Sequence, residues 1–402
     1  MPRVLFVHHR PQPSGAVRSL ALLIGALDER WEPHVLVPAG PAASVLAKAG
    51  ATVHTGPVPA FTHTWDVQYR GLRWLVLVRE ALSLPGHARR LRRLLRELDP
   101  AVVHLNDSVL LASGLLAHRH GTRVVWHLRS SLASGGRDRR SRLVARALDA
   151  WGDAAIAIDE DVARTFPVRL PVEVVRNPVV ADPGEPAVLP VPDGRVTIGY
   201  FGYLRRQKGW PELVDAMRIL VHAGEPVHAV VVGGGVRPPA AFRGVRGRLL
   251  RRLGIPDEER DFHERVAALD LADRFSFLPF TTDPGSIYRA LDIVVFPNQG
   301  AGLGRPVLEA AAYGKPVVAS GSPTGVGLIV DGETGFLLPR GTPETLAEAI
   351  GRLARDPELR QGLGARGGEL AARFSPSEAA RAVDVVYETL VSTTDSSTRS
   401  AC

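Results

Sequence analysis

The 402 residues carry 49 Lys plus Arg against 42 Asp plus Glu, a net charge of +7, with 45% hydrophobic and 23% charged residues. That hydrophobic share excludes a chain disordered throughout and leaves room for two or three domain cores, and no run approaches the ~20 apolar residues of a membrane-spanning helix. One cysteine, Cys402, excludes an internal disulfide and a cysteine zinc cluster.

The first residues, Met1-Pro2-Arg3-Val4-Leu5-Phe6-Val7, read as a strand rather than the apolar core of a signal peptide, so the expected location is the cytoplasm. A strand over residues 4–8 leads into the loop Pro11-Gln12-Pro13-Ser14-Gly15, then a helix through Leu20, Leu23, Ile24 and Leu27. Strands follow at residues 34–38, 51–54, 102–105 and 122–127, with a helix at 43–49 and helical stretches elsewhere between them. Short apolar runs alternating with helices predict a parallel sheet covered on both faces. Residues 177–195 are dense in proline and glycine, the composition of a linker. The alternation then restarts, with strands at 196–201, 227–232, 274–278, 293–296 and 316–319 and helices at 210–222 and 306–313. A tight turn at 331–335 and a helix over 375–390, opened by Ser375-Pro376-Ser377-Glu378, complete the pattern. The predicted organisation is an acceptor-side domain at 1–178, a linker at 179–195 and a nucleotide-side domain at 196–374. A C-terminal helix at 375–391 and a disordered tail at 392–402 follow. In such α/β sheets ligands bind beyond the carboxyl ends of the strands, so functional residues belong in the loops there.

Only three of the cations are lysines, Lys48, Lys208 and Lys315, leaving 46 arginines. So general an excess discounts any one arginine cluster and singles out the lysines. The charge is uneven: residues 1–180 sum to +9 and the remainder to −2.

Two segments carry chemistry. In Gly199-Tyr200-Phe201-Gly202-Tyr203-Leu204-Arg205-Arg206-Gln207-Lys208-Gly209 a strand runs into a basic loop ahead of a helix. Cations and helix N–H groups facing one point make an anion site; a solvated loop before a helix is the alternative. In Phe296-Pro297-Asn298-Gln299-Gly300-Ala301-Gly302-Leu303-Gly304-Arg305-Pro306-Val307-Leu308-Glu309 a glycine-rich loop lets the backbone approach a ligand. Glu309 either accepts hydrogen bonds from sugar hydroxyls or only complements the helix dipole. Val231-Val232-Gly233-Gly234-Gly235 fails the dinucleotide Gly-x-Gly-x-x-Gly spacing, which argues against an NAD site. No His-Glu-x-x-His motif marks a metal site.

Taken in order, these segments resemble the retaining glycosyltransferases of family 4. Further matching pieces are Gly15 with Ser19-Leu20, Val102-Val103-His104-Leu105-Asn106, Trp126-His127-Leu128-Arg129 and Val174-Val175-Arg176-Asn177-Pro178. Leu291-Asp292-Ile293-Val294-Val295-Phe296-Pro297 and Leu308-Glu309-Ala310-Ala311-Ala312-Tyr313-Gly314-Lys315-Pro316-Val317-Val318-Ala319 close the series, so the likeness spans roughly residues 1–390. The resemblance implies the GT-B fold, two Rossmann-like doubly wound domains facing each other across a cleft. It implies transfer of a sugar from a nucleotide-diphosphate sugar, a co-substrate with no separate cofactor or metal, to a saccharide, lipid-linked or small-molecule acceptor. By position, Lys208 matches the lysine on the donor diphosphate, Glu309 the glutamate on the ribose and His127 a histidine that reaches the donor sugar. Gly15 matches the first glycine-rich loop, and Gly302, Leu303 and Gly304 the loop whose amides meet the sugar.

Two positions depart from the family pattern. Tyr203 stands where an arginine accompanies the lysine, with Arg205 and Arg206 close enough in sequence to supply that charge. Ala301 stands where a first glutamate contacts the donor sugar, which admits as the alternative a GT-B relative that binds a nucleotide or partner without turnover. Residues 65–96 interleave Trp65, Tyr69, Trp74 and Leu75-Val76-Leu77-Val78 with eight arginines. That pattern suits an anionic membrane surface, such as the inner face of the plasma membrane, or a basic solvated helix. No nucleic-acid-binding module accompanies the charge.

Overall fold

The structure, a computed structural model, describes all residues except 62–74, 133–135, 236–238, 253–254, 282, 300–303, 322–326, 328 and 400–402. It divides into two compact units, Met1–Pro178 with Phe374–Cys402, and Val179–Arg373.

The first unit runs β1 (Arg3–Val7), α1 (Gly15–Ile24), β2 (Glu32–Val37), α2 (Pro41–Lys48), β3 (Thr52–Thr55), α3 (Leu75–Leu98) and β4 (Val102–Leu105). It continues through α4 (Leu111–His120), β5 (Arg123–Leu128), α5 (Arg139–Trp151), β6 (Ala154–Ala157), α6 (Glu160–Thr165) and β7 (Val172–Val174). Among the described residues these strands form one seven-stranded parallel sheet in the order β3-β2-β1-β4-β5-β6-β7. Val4, Leu5, Phe6 and Val7 are all fully buried, because helices cover both faces and each face needs apolar side chains. One face packs Leu5, Val7, Leu105 and Trp126; the other packs Val4, Phe6 and Val125.

The second unit runs β8 (Val196–Leu204), α7 (Trp210–His222), β9 (Val227–Gly235), α8 (Gly244–Arg252), α9 (Glu258–Ala268), β10 (Phe275–Leu278), α10 (Gly285–Ala290) and β11 (Ile293–Phe296). Then come α11 (Arg305–Ala312), β12 (Val317–Ser320), β13 (Gly335–Leu338), α12 (Pro343–Arg355) and α13 (Pro357–Ala371). Its sheet is again parallel, six-stranded among the described residues, in the order β10-β9-β8-β11-β12-β13. Thr342 caps α12 with a reciprocal bond to Thr345, which fixes where that amphipathic helix begins.

The last helix, α14 (Pro376–Arg399), returns to the first unit, where Ala379, Ala380, Val383 and Tyr387 fill the Val4–Phe6–Val125 face of the core. A polar tail was expected from Ser392. Instead the helix continues through Arg399, since no glycine or proline after Pro376 breaks the run. Residues 179–195 contain no helix or strand but are strapped to the second unit. Ala187 N–H donates to the Ser286 carbonyl at 2.9 Å, and Arg289 donates to the Asp182 carbonyl at 2.6 Å.

In each sheet the strand order reverses direction at one place, between β1 and β4 and between β8 and β11. Loops leaving those strands are splayed to opposite faces, and the crevice left beyond their carboxyl ends is where doubly wound sheets bind ligands.

Candidate functional site

In the second unit the crevice lies between the loop after β8 and the loop after β11. Residues 206–208 form a single tight turn, closed by Lys208 N–H on the Arg205 carbonyl at 2.7 Å. Gly209 follows at φ +75° and serves as the cap of α7. A Cβ there would stand 1.8 Å from the Pro297 carbonyl oxygen, so only glycine lets the two loops meet. Gln299 N–H donates to the Gln207 carbonyl at 2.8 Å and completes the lock. The Lys208 ammonium lies 5.3 Å over the Phe296 ring at the end of β11, close to the beginning of α11. The lock therefore holds a lysine at the switch point, between two helix N-termini whose dipoles favour an anion.

The neighbouring cations are placed differently. Arg205 is half-buried at the start of the turn. The Arg206 guanidinium lies 5.5 Å from the Trp210 ring and 3.6 Å from Asp261, so packing engages it against α7 and α9. Tyr203, at the family's arginine position, is 40% exposed and stacks on Phe280 with ring centroids 6.3 Å apart.

Gly304 caps α11, and a Cβ on it would meet Phe296 at 2.6 Å. Glu309, one turn in, is 6% exposed. Arg305 donates to one of its carboxylate oxygens at 2.6 Å, and the Tyr288 hydroxyl to the other at 3.0 Å. A ligand hydroxyl at Glu309 therefore shares the carboxylate with these two partners. Gly302 and Leu303, with Ala301, lie outside the described residues.

In the first unit Gly15 opens α1, with Ser14 as its cap. His127 ends β5 and is 4% exposed. Its Nδ1 lies 2.9 Å from His104 Nε2, and His104 Nδ1 lies 2.6 Å from the Tyr387 hydroxyl of α14. Burial, then the Arg129 charge, holds His104 down to about 3; burial, Arg129 and His104 hold His127 well below the ordinary histidine value. The Arg129 guanidinium donates to Asn177 Oδ1 at 2.7 Å and also to Asn106 Oδ1. Asn106 lies 2.9 Å from His8 Nδ1. Burial raises the Asp107 carboxyl, opposed by hydrogen bonds from Ser108.

His8, His104, Asn106, Arg129 and Tyr387 thus join His127 in one buried polar cluster. Tyr387 left no signal in the sequence, since 283 residues separate it from His104; His8 was visible only as a strand-end histidine. Among the described residues no group of three or more His, Cys, Asp or Glu is placed to hold a metal ion.

Comparison with known proteins agrees with this architecture. The family profile "Glycosyltransferase Family 4" matches residues 13–182, and "Glycosyl transferases group 1" matches 183–369. The lipopolysaccharide core biosynthesis mannosyltransferase LpcC of Rhizobium leguminosarum bv. viciae is 31% identical over 301 residues, 72% of this chain and 78% of that protein. The mannosyltransferase LpsB of Rhizobium meliloti is 32% identical over 197 residues, 48% of this chain and 52% of its own, so this chain spans about half of that relative. Among solved structures, Anabaena HepE in complex with UDP and glucose has a TM-score of 0.77 at 18% identity, covering 97% of this chain and 100% of its own. Sucrose-phosphate synthase of Thermosynechococcus elongatus has a TM-score of 0.72 at 19% identity, covering 98% of this chain and 100% of its own. Both show a shared fold, the GT-B arrangement of two doubly wound sheets. With LpcC matched over more than two thirds of its length, this chain belongs to the family 4 glycosyltransferases.

Proposed function

We propose that this protein transfers a sugar from a nucleotide-diphosphate donor to a saccharide, lipid-linked or small-molecule acceptor, with retention at the anomeric carbon and without a metal. The observation that carries the reading is the locked pair of loops that seats Lys208 between the starts of α7 and α11. As the bond from the anomeric carbon to the diphosphate breaks, negative charge grows on the departing oxygen. Lys208, Arg205 and the two helix N-termini would stabilise that charge. The acceptor oxygen attacks from the leaving-group face, and its proton passes to the departing phosphate. Support for a nucleotide sugar comes from the UDP and glucose bound by HepE, and for a glycolipid or polysaccharide product from the lipopolysaccharide roles of LpcC and LpsB.

Calorimetry against UDP-, GDP- and dTDP-sugars tests the site. Lys208→Ala removes a charge-assisted contact, which should weaken binding of the accepted donor roughly ten- to hundredfold. An unchanged affinity removes Lys208 from the site, and donor binding without turnover on any acceptor marks the protein as a binding relative instead. Activity that survives EDTA and a product of retained anomeric configuration are the further expected results.

The reaction belongs, on this reading, at the cytoplasmic face of a membrane. No helix among the described residues is long and apolar enough to cross one. However, α3 begins with Leu75, Val76 and Val78 exposed and carries Leu82 at 77% exposure among its arginines. Trp65, Tyr69 and Trp74 lie outside the described residues. Flotation with anionic but not with neutral liposomes is the expected outcome.

A further inference from the structure

The buried cluster of the first unit fixes more than the position of His127. Val7, Leu105 and Trp126 are register partners across β1, β4 and β5. The next residues, His8, Asn106 and His127, stand on one rung at the carboxyl edge of the sheet. Asn106 N–H still bonds the Val7 carbonyl at 3.0 Å. Strand alternation puts all three on the face that carries Phe6, His104 and Val125.

Arg129 gives the hydrogen bonds around this rung a direction, because a guanidinium only donates. It donates to Asn106 Oδ1, so the Asn106 amide nitrogen must donate to His8 Nδ1, leaving the His8 proton on Nε2. Arg129 also approaches His127 Nδ1 at 3.4 Å. That nitrogen must therefore be an acceptor, so His104 Nε2–H donates to it and His104 Nδ1 accepts from the Tyr387 hydroxyl. Burial agrees with this chain of neutral groups: it holds Tyr387 protonated, its phenol raised well above the usual value, and keeps His104 and His127 uncharged. His8 Nε2 and His127 Nε2 are buried and have no hydrogen-bond partner.

We infer that Arg129, Asn106, His104 and Tyr387 are positioning residues that hold His8 and His127 as Nε2–H tautomers, so that the first unit offers a matched pair of N–H donors to acceptor oxygens of a polyhydroxy ligand. The two imidazoles sit two strands apart, roughly 10 Å at the backbone, a spacing comparable to the width of a sugar with its substituents. The last helix is thereby part of the site, because it supplies the phenol at the head of the His127 branch. The identity of the ligand as a sugar rests on the proposed transferase function; the tautomers do not.

The test is a nitrogen NMR spectrum of the ligand-free full chain labelled with 15N-histidine. In the wild type, His8, His104 and His127 should each show a protonated Nε2 and an unprotonated Nδ1. Arg129→Met removes the guanidinium that directs both branches, so a second tautomer should appear at His104 and His127. Asn106→Ala should free His8 and spare His127. With the accepted donor, Tyr387→Phe should lower kcat/KM about three- to tenfold, the range of one neutral hydrogen bond. A wild-type His127 or His8 protonated on Nδ1 overturns the inference, as does a folded Arg129→Met protein whose His104 and His127 signals are those of the wild type. If either variant fails to fold, the wild-type spectrum alone decides. Since it is recorded without substrate, failure of the transferase reading and failure of the tautomer assignment are separate results.

Discussion

Replacing Gly209 with alanine probes the junction on which the proposed anion site depends. Two penalties follow from the structure. A residue with a Cβ at φ +75° loses roughly 1–2 kcal/mol relative to glycine. The new methyl would also stand 1.8 Å from the Pro297 oxygen and 2.6 Å from its carbonyl carbon, where ordinary contact begins near 3.4 Å. Backbone on both sides must separate by more than 1 Å, a displacement of the kind that costs about 1–3 kcal/mol in a packed region. Gly224→Ala isolates the first penalty, because Gly224 has φ +80° and nothing within 4 Å of the added atom. Gly209→Ala should therefore be less stable than Gly224→Ala by about 1–3 kcal/mol in urea unfolding, and it should lose donor affinity while Gly224→Ala retains it. Loop separation relieves the clash only by breaking the Gln299–Gln207 bond and moving Lys208, so a protein that relaxes this way should still lose affinity for the proposed donor. Equal stability of the two variants together with equal donor affinity would refute the reasoning.

Glu309→Gln leaves Arg305 as a buried cation without its carboxylate, a loss of roughly 3–5 kcal/mol, whereas Tyr288→Phe should cost nearer 1 kcal/mol; thermal melts rank the two. Stability should fall as pH drops from 6.5 toward 3. His104 is held at about 3 when folded but takes up a proton near 6.5 when unfolded, so acid favours the unfolded chain, by roughly 2 kcal/mol for this histidine between pH 6.5 and 5. His104→Gln should flatten urea-derived stability against pH over that window, and an unchanged slope would show that His104 is not buried neutral.

The sequence made the sheet cores legible because a strand buried on both faces is a nearly unbroken apolar run. Residues 102–105 and 293–296 were read with the bounds the structure shows. Ala154-Ala155-Ile156-Ala157 was not marked, since alanine carries little strand signal and only the neighbouring β5 and β7 make that segment a strand. The Lys208 loop stood out as a candidate anion site from local pattern alone, because cation, glycine and helix start are adjacent in the chain. The lock between Gly209 and Pro297 was not, because it joins residues 88 positions apart and depends on a contact between backbones. The polar cluster was least visible of all. Its histidines look like strand-end residues singly, and only register between strands and the return of α14 bring them together.

The scarcity of lysine acquires a physical sense at two of its three positions. At position 208 a compact ammonium fits over Phe296 between two helix starts, where the broad planar guanidinium of an arginine requires more room. Lys315 has a different part. Its ammonium donates to the Arg289 carbonyl at 2.9 Å, and Arg289 in turn holds the carbonyls of Asp182 and Glu185. Burial lowers the Lys315 pKa, as expected for an amine spent on a backbone oxygen rather than on solvent. Lys315 therefore helps to bind the proline-rich segment to the second unit, whereas Lys208 lies over Phe296 in the proposed donor site. In a chain whose other cations are almost all arginines, that contrast in surroundings, more than rarity itself, makes Lys208 the residue to test at the proposed donor site.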